Sequence, residues 1–473
     1  MVFSFGQPFP RAFASLFAPS AIQIACAALL AGAPVAVQAQ SLVQLTEQAQ
    51  AYDAAWQSAR AQLDATISKG AQAKAGLLPQ VGIQAGSQYS ETRVRGSFPT
   101  QQLDARQDSA SLQAKQPLYN PANLATYRQG ERNVDLAYAQ VDAASQDLLV
   151  RSARAYFQVL AALDTLHLVQ AQKRAVAEQY EYAKRNFEIG TATVTDSREA
   201  QARFDLVRAQ EIATENDLRV AQAALEQLVG VAGAAPWPLA QPVRLPELLP
   251  NDLQTWLDTA QTDSPLIRQA LIAVDMSQLE TDKAYAGHKP TVDLQASYGT
   301  QRNPDGSLTL PMRNNSTVGT VGVVMNIPLF AGFAVQNRVK ETLSLEEKAR
   351  ADLEDAKRQV NQAVRTAFLG VQSGYGQVQA LEAAVASSQS ALEANLLGYE
   401  VGVRINMDVL NAQSQLYQSQ KDLAQARYNL LVGQLQLRQA AGNLRMQDVH
   451  SINAVLSPAQ LATVPTIPSS LKK

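Results

Sequence analysis

The chain repeats itself once, and this duplication constrains its fold more than any other feature. Residues 116–119 (QPLY) match residues 327–330 (IPLF), 211 positions further on. Residues 187–190 (FEIG) match residues 399–402 (YEVG), 212 positions further on. Because the offset changes by only one residue across so long a stretch, the chain consists of two copies of one structural unit. A fold for this sequence must therefore contain the same elements twice.

Each copy begins with two candidate strands. Apolar and polar residues alternate, as they do in a strand with one apolar face, in four segments, which are 81–90, 109–116, 291–300 and 316–328. The connections 91–108 and 301–315 are polar and contain glycine and proline, as hairpin loops do. We predict strand hairpins over 81–117 and 291–328, and thus four strands in the chain.

Four strands are too few to close a barrel, and an open sheet edge in lipid leaves backbone amides without hydrogen-bond partners. If these strands cross a membrane, several chains must share one barrel. Two chains would supply eight strands and three chains twelve, and both numbers suit an outer-membrane barrel. The alternative is a pair of hairpins in water, and the alternation by itself does not choose between them.

Long helices are predicted after each hairpin. Proline is absent from 122–235 and from 329–457, and each stretch is interrupted near its middle, by Gly190 or by Gly402. At about 1.5 Å per residue, a helix that ends just before Gly190 is roughly 100 Å long. Each copy is therefore expected to contain a long helical hairpin.

The returning helix of the second copy has the pattern of a coiled coil. Val409 and four leucines recur every seven residues as far as Leu437, and a small residue follows each of them three positions later. Large and small residues that alternate in this way let helices pack closely. A purely structural coiled-coil rod would have the same periodicity and is kept as an alternative.

The first 39 residues have the composition of a signal peptide. They contain Arg11 as their one charged residue, an apolar stretch over 21–37 and a small-x-small cleavage motif that ends at Ala39. A lipid anchor at Cys26 is the alternative, which the preceding residues disfavour. Five prolines between 236 and 250 interrupt the chain between the copies. The predicted organisation is a signal peptide (1–39), a first copy (40–235), a proline-rich connector (236–262), a second copy (263–446) and a C-terminal tail (447–473).

The sequence gives no sign of catalytic or cofactor chemistry. Cys26 lies within the predicted signal peptide, and His167, His288 and His450 are scattered without the spacing of metal ligands. No phosphate-binding loop or nucleophile motif is present. The net charge of −2 predicts no nucleic-acid partner, and no apolar run after residue 39 approaches the roughly 20 residues of a transmembrane helix. We expect no enzyme, no cofactor and no metal site.

Three motifs resemble the TolC family of outer-membrane efflux proteins, and the resemblance extends over nearly the whole mature chain. They are 77–81 (LLPQV), 399–410 (YEVGVRINMDVL) and 426–430 (ARYNL). The resemblance implies an α+β membrane protein with a trimeric TolC-like fold. Its parts are a shared 12-stranded β-barrel, with four strands per chain, and a long α-helical coiled-coil tunnel in the periplasm. The connector and the tail would form a belt around that tunnel.

The function that the resemblance implies is an outer-membrane channel of a tripartite export system. Its partners would be two further copies of the chain, a periplasmic adaptor, an inner-membrane ABC or proton-driven transporter, the exported substrate and outer-membrane lipid. The cargo would be protein, by type I secretion, small-molecule drugs, or both. A dedicated multidrug efflux outlet is the first alternative, and a structural coiled-coil or adaptor protein of the periplasm is the second.

The resemblance also carries roles to individual residues. The family closes the far end of its tunnel with polar links between neighbouring chains, and the matching gate residues here are Thr195, Asp196, Tyr399 and Arg404. The links are expected to loosen when the adaptor docks.

Two further sets of residues match family positions. Pore-constriction rings match at Asp408 and Asn411, where the family often has two acids, so the expected ring charge is halved. Adaptor-docking turns match at Gly190, Thr191, Gly402 and Val403.

Overall fold

The computed structural model describes residues 39–94, 101–306 and 312–457. The predicted signal peptide up to residue 38, and residues 458–473 of the predicted tail, lie outside the described residues.

The elements follow one another in an order that repeats. The first group is α1 (Leu42–Tyr52), α2 (Ala54–Ala73), β1 (Gln80–Val94), β2 (Gln101–Tyr119), α3 (Pro121–Glu188) and α4 (Val194–Val229), with a 3-10 turn at Lys74–Leu77. The second group is α5 (Leu253–Asp263), α6 (Pro265–Ala286), β3 (Thr291–Asn303), β4 (Asn314–Asn326), α7 (Ala334–Glu400), α8 (Asn406–Ala440) and α9 (Met446–Asn453). Both groups contain two helices, a strand hairpin and a long helical hairpin in the same order, in agreement with the predicted duplication, and α9 follows at the end of the second group.

The strands form one antiparallel sheet in the order β1-β2-β3-β4. β1 and β2 extend well into the predicted loop 91–108, since Glu91 pairs with Asp104 and Thr92 with Leu103. The alternation missed this part because polar residues occupy both of its faces. The predicted end of the last strand at residue 328 was also wrong. β4 ends at Asn326, two residues before a proline, which has no backbone N–H to donate to a strand partner.

The sheet has one apolar and one polar face. On one face Ile83 pairs with Leu112, and Leu112 in turn pairs with Tyr298. On the other face Gln113 pairs with Ser297, and Ser297 pairs with Thr320. The apolar face is open to its surroundings in a single chain: Ile83 is 82% exposed and Val321 is 79% exposed. β1 and β4 are the two edge strands.

The helical hairpins are long. α3 has 68 residues and α7 has 67, so each extends for about 100 Å. α3 packs along α4, and α7 packs along α8. Among the described residues, none of the helices combines the length and the apolar character that a membrane crossing requires.

The core lies where helices of both copies meet. Tyr156 and Phe157 of α3 are 0% and 1% exposed, and Phe157 stacks on Tyr428 of α8 at 5.7 Å between ring centroids. The Tyr156 hydroxyl donates to the backbone oxygen of Trp237 at 3.0 Å. This bond attaches the proline-rich connector to the core. The long helices are therefore anchored in their middle parts, and their turns lie far from this core.

The connector and the tail contain two helices that were not predicted from the sequence, α5 and α9. Asp252 caps α5 by accepting from the backbone N–H of Thr255 at 2.9 Å, and Trp256 of the same helix is 2% exposed. In the tail, Val449 and Ile452 of α9 are buried in the main core. Both helices are short, and the prolines before α5 had favoured a loop at that place.

Candidate functional site at the helical turns

Each helical hairpin reverses at a glycine with the same backbone conformation. Gly190 and Gly402 both have φ of +78°, and a Cβ atom added to either would meet nothing within 4 Å. Glycine is required there for its backbone freedom and not for space. Apolar side chains next to both glycines point into the surroundings, with Ile189 72% exposed and Val403 76% exposed.

The first turn is closed by a capping box. The backbone N–H of Thr193 donates to Asp196 Oδ2 at 3.0 Å, and the backbone N–H of Asp196 donates to Thr193 Oγ1 at 3.2 Å. The Thr193 hydroxyl also donates to Asp196 Oδ2, at 2.8 Å. Such a box satisfies two amides at the start of a helix. Thr195 is exposed on the same first turn of α4, and Thr191 donates its backbone N–H to Asn186 O at 2.8 Å.

The second turn has the same backbone but a weaker start to its helix. Ile405 occupies the N-cap position of α8, and its side chain makes no capping hydrogen bond. Asn406, the next residue, is 4% exposed. Neither atom of its side-chain amide has a hydrogen-bond partner among the described residues. A buried amide without a partner destabilises the fold, so the two turns differ in stability although their backbones match.

Tyr399 connects the two copies near the turns. Its ring meets the ring of Tyr182 on α3 edge to face, with centroids 5.9 Å apart. Burial raises the pKa of Tyr399, the charges of Tyr182 and Asp196 raise it further, and a hydrogen bond with the Asn186 side chain opposes the rise. The structure therefore brings Tyr399 and Asp196, two of the predicted gate residues, within electrostatic reach in one chain.

Arg404 lies in the turn before α8 and has its partner in the first turn of that helix. Its Nη1 lies 3.6 Å from Asp408 Oδ2, and both side chains are partly exposed, at 59% and 37%. No contact of Arg404 with Thr195 or Asp196 occurs among the described residues of this single chain. The predicted link between Arg404 and those two residues is one between neighbouring chains.

The two predicted constriction residues lie on one face of α8, since Asn411 follows Asp408 by three positions. Asn411 Oδ1 accepts a hydrogen bond from Arg203 Nη2 of α4 at 2.9 Å. Arg203 was not among the residues predicted from the sequence. No sequence pattern pointed to it, because Arg203 and Asn411 are 208 positions apart and meet only where α4 packs on α8.

In the ranges 39–94, 101–306 and 312–457, no three His, Cys, Asp or Glu side chains come together in a way that would hold a metal ion.

The sequence and the fold match known outer-membrane proteins. The sequence model of the outer membrane efflux protein family matches residues 45–231 and again residues 256–443. The outer membrane protein TolC of Vibrio cholerae is 33% identical over 427 residues, which cover 90% of this chain and 96% of that protein. The alkaline protease secretion protein AprF of Pseudomonas aeruginosa is 32% identical over 374 residues, covering 78% and 76%. The outer membrane channel CmeC of Campylobacter jejuni has the same fold, with a TM-score of 0.75 at 15% identity, covering 88% of this chain and 90% of that one.

Proposed function

The chain belongs to the outer membrane efflux protein family, and from this premise we propose that three copies of it form the outlet of a tripartite export system. It is an outer-membrane protein of the TolC-like fold, whose helical tunnel extends into the periplasm. A periplasmic adaptor and an inner-membrane transporter, either an ABC or a proton-driven one, complete the proposed system. The outlet has no enzymatic role in it, and the energy comes from the transporter.

The two-faced sheet with open edges supports this proposal best. The backbone amides along β1 and β4 must find partners if the sheet enters lipid. Three sheets of four strands, joined edge to edge, make a closed barrel of twelve. The face that carries Ile83 and Val321 then meets lipid, and the face that carries Gln113 and Ser297 lines the lumen.

The oligomeric state is tested by cross-linking the edge strands. A single cysteine at Leu112 on the inner strand β2, which has no strand of another chain beside it, serves as the reference. Cysteines placed along β1 and β4 are expected to cross-link between chains into a trimer. The natural Cys26 is replaced in every variant. A ladder that stops at a dimer, or a protein that extracts with the soluble periplasmic fraction, would contradict the trimeric barrel.

For the cargo, we propose an outlet that is competent for protein secretion. AprF, similar to this chain over most of its length, is by name a protease secretion protein. Multidrug efflux through the same channel is the second candidate, since the matching family is named for efflux. Deletion of the gene distinguishes them, because loss of a large secreted protein with unchanged drug susceptibility indicates a secretion outlet. Hypersensitivity to dyes and antibiotics with normal secretion indicates an efflux outlet, and both defects indicate a shared channel.

The closed end of the tunnel is proposed to be held by Thr195, Asp196, Tyr399 and Arg404. The contact of Tyr399 with Tyr182 and the influence of Asp196 on its pKa support this assignment. Exposed links contribute roughly 0.2–1 kcal/mol each. Three copies of one link then favour the closed state by up to about 3 kcal/mol, and their loss multiplies the open fraction about 3- to 150-fold.

Planar-bilayer recording tests this gate. Arg404→Ser combined with Tyr399→Phe is expected to raise the single-channel conductance. The matched control is Arg219→Ser combined with Tyr138→Phe, two exposed positions away from the turns, and it should conduct as the unaltered channel does. Equal conductance of all three proteins would contradict the gate.

The turns are proposed as the place where the adaptor docks. The residues concerned are Gly190, Thr191, Gly402 and Val403, and the exposed apolar side chains of Ile189 and Val403 support the assignment. Val403→Asp should weaken copurification of the adaptor, whereas the same change at the exposed Val220 of α4 should not. Unchanged copurification of Val403→Asp would refute this docking surface.

A further inference from the structure

We propose that Arg203 sets the ion selectivity of the tunnel entrance, by adding a ring of positive charge beside the ring formed by Asp408. The inference rests on the proposed function, since it needs three chains around one pore. It names a specificity-determining residue outside the predicted gate and constriction, and it gives the entrance the character of an anion-tolerant passage.

The contact of Arg203 leaves its charge uncompensated. Its Nη2 donates to Asn411 Oδ1 at 2.9 Å, across the interface of α4 and α8. The asparagine side chain is neutral, and a guanidinium stays protonated at all physiological pH values. No ion pair in the described part of the chain includes Arg203. The hydrogen bond therefore fixes a full positive charge in place, where a carboxylate partner would have cancelled it.

The neighbouring charges do not restore a negative entrance. Asp408 lies three residues before Asn411 on the same helix face, and Arg404 Nη1 is 3.6 Å from its carboxylate. Two arginines and one aspartate thus surround the two constriction positions in each chain. With acids at both positions, each chain would carry two negative charges there in place of one, and the carboxylate at position 411 would pair with Arg203. Asn411 consequently does more than halve the acidic ring, because it also holds a cation beside it.

The cleft beside Arg203 carries charge of the same sign. Arg203 lines a cleft of about 170 Å³ between α3, α4 and α8, and the other charged residue on its wall is Lys421. Among the described residues, no carboxylate lines this cleft. Positive charges of like sign around a narrow passage raise the local concentration of anions and lower that of cations. An anionic cargo, or acidic segments of a protein cargo, would pass such an entrance more easily than a cationic one.

Reversal potentials in a KCl gradient test the inference. Arg203→Gln keeps a hydrogen-bond donor for Asn411 and removes the charge, and it is expected to raise the permeability ratio of K⁺ to Cl⁻. Coulomb's law for three charges in water, reduced by screening, predicts a rise of about threefold. Asn411→Asp should raise the ratio as well, because its carboxylate would pair with Arg203.

Two controls separate charge from structure. Arg203→Lys keeps the charge and should keep the ratio of the unaltered channel. Arg219→Gln removes an exposed charge from the same helix, 16 residues further from the turn, and should also leave the ratio unchanged. The inference is overturned if Arg203→Gln has the selectivity of the unaltered channel, or if Arg203→Lys changes it as much as Arg203→Gln does. Failure of the unaltered protein to form any channel would instead refute the proposed function.

Discussion

Replacing Gly402 by alanine tests how the turn of the second copy is built. Its φ of +78° lies in the left-handed region, which costs an L-residue about 1–2 kcal/mol. A Cβ atom there meets nothing within 4 Å, so the cost is one of backbone conformation and includes no clash. The amides of Val403 and Arg404 donate to Gly398 O at 2.9 and 3.0 Å. Destabilising the turn opens these two bonds more often.

Hydrogen exchange followed by mass spectrometry measures this opening directly. A cost of 1–2 kcal/mol speeds exchange of the Val403 and Arg404 amides by about 5- to 30-fold. Gly190→Ala should speed exchange of the Thr191 amide by a similar factor, because Gly190 has the same φ. The contrasting control is Gly370→Ala in the middle of α7, where the added methyl also meets nothing within 4 Å.

The control Gly370→Ala is expected to have the opposite effect on hydrogen exchange. In a helix interior alanine is more stable than glycine by roughly 0.5–1 kcal/mol, so Gly370→Ala should slow exchange of the amides around it. If Gly402→Ala leaves the exchange of Val403 and Arg404 unchanged, the turn does not depend on a left-handed residue. The reasoning from its backbone conformation is then refuted.

Three further changes test the core and the second turn. Tyr428 donates to Asp164 Oδ2 at 2.6 Å, and burial raises the pKa of the Asp164 carboxyl above its ordinary 3.8. The charged form of Asp164 therefore destabilises the fold at neutral pH, and this effect fades as the pH falls through the raised pKa. Tyr428→Phe should lower the free energy of unfolding by about 1.5–3 kcal/mol at pH 7 and by less at pH 4, which the melting temperature in detergent measures. An equal loss at the two pH values would contradict a hydrogen bond to a charged Asp164. Asn406→Leu removes a buried unpaired amide and should stabilise the start of α8 by about 1–3 kcal/mol, slowing exchange there; faster exchange would count against it. Ile405→Thr should create a capping box with Asp408 and stabilise the start of α8 by about 0.5–2 kcal/mol. The same measurement should then show slower hydrogen exchange there, and unchanged exchange would contradict the expected cap.

Much of the fold was predictable because it depends on local rules. The hairpin turns follow from Gly190 and Gly402, each the interruption of a long stretch without proline. The strands followed from alternation wherever one face is apolar, and the TolC-like fold is confirmed. The strand ends were missed where both faces are polar, since backbone pairing there leaves no trace in the side-chain pattern. The helix α5 was missed because the prolines before it outweighed a single N-cap residue, Asp252.

The candidate site was predictable only in part, for a related reason. The proposed constriction residues Asp408 and Asn411 come from a motif that is continuous in sequence. Arg203 could not be found in this way, because its contact with Asn411 joins residues 208 positions apart. Which side chains meet across two helices depends on their relative register, and periodicity within one helix does not determine it. The charge proposed for the entrance rests on a contact of this kind.

The duplication makes the two turns comparable, and their differences then identify the weaker one. Both begin with the same glycine conformation, and Thr193 of the first copy corresponds in position to Ile405 of the second, each three residues before an aspartate. In the first copy that pair forms a capping box. In the second, isoleucine has no side-chain acceptor for the amides of α8, and the buried amide of Asn406 adds a further cost. Since the backbones match, the difference in stability comes from these side chains, and the turn that carries Arg404 and Asp408 is the one expected to rearrange first.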